Sequence, residues 1–102
     1  MKRLIDTASV IRSKNSGPYE ITFDIIFKDE IEFEVFVSRN ILTKSIFASL
    51  YGISRDDVLS IIAFKPSKAL KITIKRPISS GALGERDVYG AQQHKPLLGI
   101  RY

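Results

Sequence analysis

The clearest hydrophobic pattern lies in the second half of the chain. Val58 to Phe64 is a nearly continuous apolar run, which is typical of a central strand with both faces buried. Lys65 to Lys68 has the composition of a turn, and residues 70–75 then alternate between apolar and polar positions. Together the two segments predict an antiparallel hairpin. The alternation predicts three buried side chains and three exposed ones, which are Leu70, Ile72 and Ile74, and Lys71, Thr73 and Lys75.

The first half of the chain predicts two more elements. Leu4 to Ile11 mixes apolar and small polar residues, and this pattern fits either a strand or a short helix. Residues 12–18 have the composition of a turn, which ends this element. Ile21 to Phe27 is rich in Ile, Phe and Thr, which predicts a strand that can pair with the first element in a long-looped hairpin.

The segment after the second strand allows two interpretations. Ile31 to Val37 alternates in a way that indicates a strand with an acidic outer face. Asp29 is followed three residues later by Glu32, however, and this spacing resembles a capping box, which begins a helix. Periodicity alone favours the strand.

A clearer helix follows. Thr43 is predicted to cap a helix over Lys44 to Tyr51, and Gly52 stands just past its end. The side chains expected on its apolar face are Ile46, Phe47 and Leu50.

The remaining segments complete one predicted domain over residues 1–102. Pro77 ends the hairpin, residues 79–84 are a loop, and residues 96–102 can close the sheet as a short last strand. Strands and helices interleaved at this length predict an α+β sandwich, in which a mainly antiparallel sheet is covered by helices on one face. No apolar run has the length of a membrane span, and the chain lacks cysteine, so a soluble cytoplasmic protein is expected.

The net charge of +5 favours anionic partners, such as nucleic acid, a phosphate-bearing ligand or an acidic protein face. Acidic residues cluster at positions 29–34 and basic residues at 65–76, so contact with a protein or with a second copy of the chain is expected at least as much as with nucleic acid. The basic hairpin exposes Lys and Thr rather than the aromatic residues that stack on bases. A charged edge strand that opposes aggregation is the preferred interpretation, and nucleic-acid binding is not expected.

The turn after the first element is a candidate anion site. Two cations together with hydroxyl, amide and backbone N–H groups can bind a carboxylate or a phosphate. The alternative, which is the more common one, is a surface turn with solvated cations. The candidate residues are Arg12, Ser13, Lys14 and Asn15.

A second polar segment, Asp87 to His94, contains the only histidine of the chain. Imidazole can serve as an acid or a base, an aspartate can fix its tautomer, and glutamine and tyrosine can orient a carbonyl or carboxylate. The structural alternative is a helix cap with side chains that satisfy exposed backbone groups. One histidine without converging carboxylates predicts no metal site, and no pattern implies a cofactor. The candidates are His94 as a catalytic residue and, as ligand-binding residues, Asp87, Tyr89, Gln92 and Gln93.

These segments resemble a known family. Residues 11–18 (IRSKNSGP), residues 21–27 (ITFDIIF) and residues 87–94 (DVYGAQQH) with 96–98 (PLL) are similar to the domain-of-unknown-function family 4387. That family is distantly similar to the C-terminal domain of acyclic terpene utilisation protein A, in which an Arg-Ser-Gly-Asp-Lys-Gly turn follows the first strand. The resemblance implies a ferredoxin-like fold with a long helix after the second strand, so it favours a helix over residues 29–37 and leaves the alternation there unexplained.

The resemblance implies a partner more than a reaction. Because a large domain precedes the small one in the terpene-utilisation proteins, this chain is expected to be an accessory subunit that completes a ligand site or active site with a larger protein, acting on acyl-CoA or hydroxy-acid substrates. A homo-oligomer and an anionic small-molecule ligand are further expectations. Two alternatives remain open: a self-contained oligomeric enzyme that uses His94 as acid or base, and a nucleic-acid binder that uses the basic hairpin at 65–76.

Overall fold

The computed structural model of the chain describes residues 2–75 and 95–102. A short helix comes first, followed by two strands, two helices and two further strands. In chain order these elements are α1 (Leu4–Thr7), β1 (Ala8–Gly17), β2 (Glu20–Phe27), α2 (Glu30–Ser38), α3 (Lys44–Tyr51), β3 (Val58–Phe64) and β4 (Ala69–Lys75). Single 3₁₀ turns occur at Arg55–Asp57, Lys65–Ser67 and Lys95–Gly99.

The described strands form one antiparallel sheet of four strands in the order β1-β2-β4-β3. β1 and β2 form one hairpin and β3 and β4 form the other, as predicted. The predicted long loop of the first hairpin is wrong, because β1 extends to Gly17 and β2 begins at Glu20. The predicted α+β class is confirmed as well, with helices and an antiparallel sheet in one chain. The ferredoxin-like topology is not confirmed, because that fold places a helix after the first strand and again after the third, whereas both longer helices here lie between the two hairpins.

The helices cover one face of the sheet with aromatic side chains. Phe23 of β2 lies edge-on to Phe47 of α3, with ring centroids 5.1 Å apart, and Tyr51 stacks on Phe47 at 4.4 Å. Phe27, the last residue of β2, packs against Phe36 of α2, with ring centroids 5.1 Å apart. The core between sheet and helices is therefore built on β2, which is flanked by strands on both sides.

Residues 30–38 are helical, which settles the ambiguous segment. The Asp29 side chain accepts a hydrogen bond from the backbone N–H of Glu32 at 2.8 Å, so the predicted cap begins the helix. Phe33 and Phe36 are buried, and their spacing of three residues places both on the same side of α2. The alternation of apolar and acidic residues, which favoured a strand, is therefore misleading here.

The prediction that Val58 to Phe64 is a central strand is wrong, because β3 lies at the edge of the described sheet. Val58 is buried, but the strand becomes exposed towards its end, and Ile62 and Phe64 are 55% and 57% exposed. The predicted alternation in β4 is confirmed for its buried and charged positions, and Thr73 is half-buried.

Two further predictions need correction. Residues 96–102 do not join the sheet; they form a 3₁₀ turn and then a single antiparallel bridge between Arg101 and Arg3. The helix α3 has the predicted bounds, with the Thr43 cap and a left-handed Gly52 at its end, but its buried face consists of Phe47 and Ala48. Its other two predicted core residues, Ile46 and Leu50, are exposed.

Candidate functional site

The register of the four strands divides their side chains between a covered face and an open face. Every second residue of β2, including Phe23 and Ile25, points towards the helices and is buried. The residues between them point the opposite way. We call that opposite surface the open sheet face; its two central cross-strand rows are Arg12, Asp24, Lys71 and Ile62, and Val10, Ile26, Ala69 and Phe64.

A partly buried ion pair lies in the first of these rows. Arg12 Nε is 3.1 Å from Asp24 Oδ2, and the Asp24 side chain is 15% exposed whereas that of Arg12 is 57% exposed. On the other side of Asp24 the facing residue is Lys71 of β4. Across residues 2–75 and 95–102, Lys71 forms no ion pair.

A shallow cavity of about 490 Å³ lies on the open sheet face. Its apolar side is formed by Ile26, Ala69, Ile62 and Phe64, and its polar side by Arg12, Asp24, Lys71 and Ser67. The cavity therefore offers an apolar floor beside two cations, which suits a molecule or a protein side chain with apolar and acidic parts.

The structure separates the four candidate residues of the predicted turn. They belong to β1, which continues to Gly17, so the prediction that they form a turn is wrong. Arg12 and Lys14 point to the open sheet face, whereas Ser13 and Asn15 face the helix side opposite Phe23 and Ile21. Ser13 is 6% exposed. Ligand binding by all four residues stays a prediction, but Arg12 and Lys14 are the two that share a surface with the cavity.

The second predicted polar segment lies outside the described residues. The catalytic role of His94 and the approach of this segment to Arg12 therefore stay predictions. The same holds for the proposed ligand-binding residues there, which are Asp87, Tyr89, Gln92 and Gln93.

The fold places the basic residues at 65–75 in two different environments. Lys65 Nζ lies 3.0 Å from Glu34 Oε1 and 3.4 Å from Glu30 Oε1, and hydrogen bonds to these two carboxylates raise the pKa of Lys65. Part of the acidic cluster of α2 is thus neutralised within the chain. Lys71 and Lys75 instead lie on β4, an interior strand, so the interpretation as a charged edge strand is wrong.

Another polar cluster joins α2 to the two chain ends. Glu32 accepts from Lys2 Nζ at 2.6 Å, and the hydroxyl of Tyr102 lies 3.2 Å from Glu32 Oε2 and 2.6 Å from Thr7 Oγ1. Burial is the largest cause that raises the pKa of Tyr102. Since these groups form hydrogen bonds with one another, the cluster stabilises the fold and does not resemble a ligand site.

The described residues contain neither a metal-binding cluster nor a membrane-spanning helix. In residues 2–75 and 95–102, His, Cys, Asp and Glu side chains form no group of three or more that could hold a metal ion. No helix in these ranges is long and apolar enough to span a bilayer.

Sequence reasoning missed the apolar half of the candidate site. Ile62 and Phe64 belong to a run that was interpreted as buried on both faces, and Asp24 was not considered. One signal was present in β2, where Asp24 and Ile26, both partly exposed, alternate with the buried Phe23, Ile25 and Phe27. That alternation indicates a sheet with one face away from the helices.

Comparison with known proteins identifies a family but no function. The family model described as Domain of unknown function (DUF4387) matches residues 4–101, nearly the whole chain. No curated protein and no solved structure matches the chain.

Proposed function

We propose that this chain, which belongs to the family described as Domain of unknown function (DUF4387), is a small accessory domain that docks on a larger protein through its open sheet face. In this proposal it completes a ligand site or active site of a larger subunit that acts on acyl-CoA or hydroxy-acid substrates. The resemblance to the terpene-utilisation proteins supports the size and substrates of that subunit. The lack of cysteine fits an encounter in the reducing cytoplasm.

The observation that carries the proposal is the exposure of Ile62 and Phe64 beside the cavity of about 490 Å³. Large apolar side chains that adjoin one another on a surface, with polar groups around them, are characteristic of protein contact sites. An aromatic residue next to a pocket is also the usual anchor of such a contact. Apolar side chains of the partner would enter the cavity and cover Phe64.

Charged side chains lie around Phe64 on the open sheet face. Four cations point to the open sheet face, against the carboxylates of Asp24 and Glu20. A matching partner surface therefore carries acidic side chains around an apolar centre. The four cations are Arg12, Lys14, Lys71 and Lys75.

The proposal also includes the second polar segment, Asp87 to His94. At 102 residues the protein has little room for a deep pocket of its own. We assign Asp87 to His94, together with Arg12 and Lys14, to the site shared with the larger subunit. His94 would then act on a ligand that the partner also holds.

The proposal is tested by recovering the tagged chain from its native cells after chemical cross-linking, with quantitative mass spectrometry of the bound proteins. One large protein is expected to be recovered with the wild type, and Phe64→Asp is expected to lower its yield about tenfold or more. Lys71→Glu should lower it too, because the charge facing the partner is reversed.

Ile31→Asp is the matched control, since Ile31 is an exposed apolar residue on α2, away from the sheet face. It should leave the recovery unchanged. A wild-type chain recovered alone, or a partner retained equally by Phe64→Asp, would contradict the proposal.

A second candidate function is binding of single-stranded nucleic acid. The specific observation in its favour is that exposed Phe64 shares a sheet face with Lys71 and Arg12, since an aromatic ring among cations can stack on a base. Fluorescence anisotropy with a labelled single strand distinguishes it from protein docking. Affinity that falls steeply with salt and is weakened by Phe64→Ala would support it; absence of binding at low salt would exclude it.

A further inference from the structure

The two edges of the described sheet differ in how they are protected. β1 carries two outward cations, Arg12 and Lys14, and its pairing with β2 is irregular near both ends. Charges and irregularities of this kind prevent an edge strand from pairing with another chain. β3 has no charged residue from Val58 to Phe64, and its only irregularity lies between Val58 and Ser60. The β3 edge therefore lacks the protection that the β1 edge has.

The unprotected part of β3 can be located more closely. At its start, Lys44 Nζ reaches over from α3 and donates to the carbonyl of Leu59 at 3.5 Å. Further along, even Ala63 is exposed, although it points to the same side as the helices. On the outer side of β3 the described part of the chain provides no pairing strand. Within residues 2–75 and 95–102, the backbone N–H and C=O groups on the outer side of residues 60–64 therefore face no other strand.

We propose that β3 pairs antiparallel with β3 of a second copy of the chain, centred on Ile62. The two-fold axis of such a pair is perpendicular to the sheet, so the two sheets join into one of eight strands with all the helices on the same side. Ile62 faces Ile62 of the other copy, and Phe64 faces Ser60. The exposed apolar side chains near the edge are then covered in part by their own counterparts.

Charge favours a second copy at this edge over contact elsewhere on the molecule. The chain carries a net charge of +5, so two copies repel each other wherever their cations meet. β3 is neutral, and the cation that follows it, Lys65, is paired with Glu30 and Glu34 of its own chain. Residues 60–64 can thus approach an identical segment without placing like charges directly opposite each other, since Lys44, which donates to the carbonyl of Leu59, lies just outside this segment.

The pairing is independent of partner docking but extends the surface proposed for it. In the joined sheet the open faces of both copies lie on the same side and are continuous across the two-fold axis. The two cavities beside Phe64 then flank the junction. One larger subunit per copy, or one partner that contacts both copies, would fit this arrangement.

Ala63→Lys tests the pairing, because it places a cation at the edge on the helix side and leaves the open sheet face unchanged. Analytical ultracentrifugation of the purified full chain over a wide concentration range is the measurement. The wild type is expected to form a dimer, and Ala63→Lys a monomer with an unchanged circular-dichroism spectrum. Ile31→Lys, an equal charge change at an exposed position of α2, should remain a dimer.

Mixing two variants of opposite charge tests whether dimerisation can be restored. Ala63→Glu alone should also be monomeric, whereas Ala63→Lys mixed with Ala63→Glu should form a heterodimer through the opposite charges across the axis. A wild type that stays monomeric at every concentration overturns the proposal. So do an Ala63→Lys variant that still dimerises and a mixture that remains monomeric.

The failure of partner docking can be told apart from the failure of the pairing. Lys71→Glu alters the open sheet face but not the β3 edge, so it should lose the larger partner and stay a dimer. Ala63→Lys should show the reverse, a monomer that still recovers the partner.

Discussion

At the scale of single residues, Phe23 joins β2 to two aromatic rings of α3. It is fully buried in the middle of β2, 5.1 Å from the ring of Phe47 and 5.2 Å from that of Tyr51. Phe23→Ala is expected to lower the free energy of unfolding by about 3–5 kcal/mol, because it leaves a cavity between sheet and helix. Urea denaturation measures this loss. Tyr19→Ala removes a ring that is 57% exposed and should change the free energy by about 0.5 kcal/mol or less.

Tyr51 gives the protein a dependence on alkaline pH. Burial raises the pKa of its phenol well above the ordinary value of about 10. A group whose pKa is raised on folding contributes stability below its unfolded pKa and loses it as the pH rises through the folded value. Unfolding free energy should therefore fall as the pH rises above about 10.

Urea denaturation of Tyr51→Phe across the same pH range provides the check. This variant should lose less stability than the wild type, because it has no phenol to ionise at that position. Tyr102, whose pKa is also raised, should account for part of the loss that remains. A Tyr51→Phe variant that loses stability as steeply as the wild type would refute the assignment.

Some residue-scale features could be predicted because they depend on near neighbours. The caps at Asp29 and Thr43 and the left-handed Gly52 are of this kind, since each involves contacts within four residues. Arg12 to Asn15 could not be placed in the same way. Their turn-like composition is overridden by cross-strand pairing, which holds Arg12 opposite Asp24 and Asn15 opposite Ile21. The candidate site was therefore found in part, through Arg12 and Lys14, but with a different geometry.

At the scale of elements, α2 depends on Asp29, the residue that caps its N-terminus. Asp29 Oδ1 accepts from the Glu32 N–H at 2.8 Å, which satisfies one of the free N–H groups of the helix terminus. Asp29→Ala should cost about 1 kcal/mol of unfolding free energy, measured by urea denaturation. Asp29→Ser keeps an acceptor at this position and should retain most of the stability. Equal losses in the two variants would show that the hydrogen bond contributes nothing.

The sequence predicts an element correctly where its own residues determine its burial. It fails where the position of the element depends on which strand lies beside it. β4 alternates as the sequence predicts, because one of its faces, with Leu70, Ile72 and Ile74, packs in the core beneath the helices. β3 was misplaced because a run of apolar residues is compatible with a central strand and also with an edge strand whose exposed side meets another molecule. The pairing of β2 with β4 is what places β3 at the edge of the described sheet. That pairing joins segments far apart in the chain, so the residues of β3 alone do not predict it.

At the scale of the whole molecule, the two chain ends are joined outside the sheet. The backbone of Lys2 exchanges two hydrogen bonds with that of Tyr102, and the Leu4 N–H donates to the carbonyl of Ile100 at 2.9 Å. The ring of Tyr102 packs edge-on to Phe36 at 5.1 Å. The sequence predicted a short strand at residues 96–102 but not its partner, because that contact spans nearly the full length of the chain.

Tyr102 closes this junction through its hydroxyl, which lies 2.6 Å from Thr7 Oγ1 and 3.2 Å from Glu32 Oε2. Tyr102→Phe keeps the ring and removes the hydroxyl, so the unfolding free energy should fall by about 1–2 kcal/mol. The loss should stay in this range because Lys2 still pairs with Glu32 at 2.6 Å and leaves no orphaned carboxylate. Tyr102→Ala also removes the packing on Phe36 and should cost about 3–5 kcal/mol. Urea denaturation measures both variants, and equal losses would mean that the hydroxyl, rather than the ring, holds the ends of the chain together.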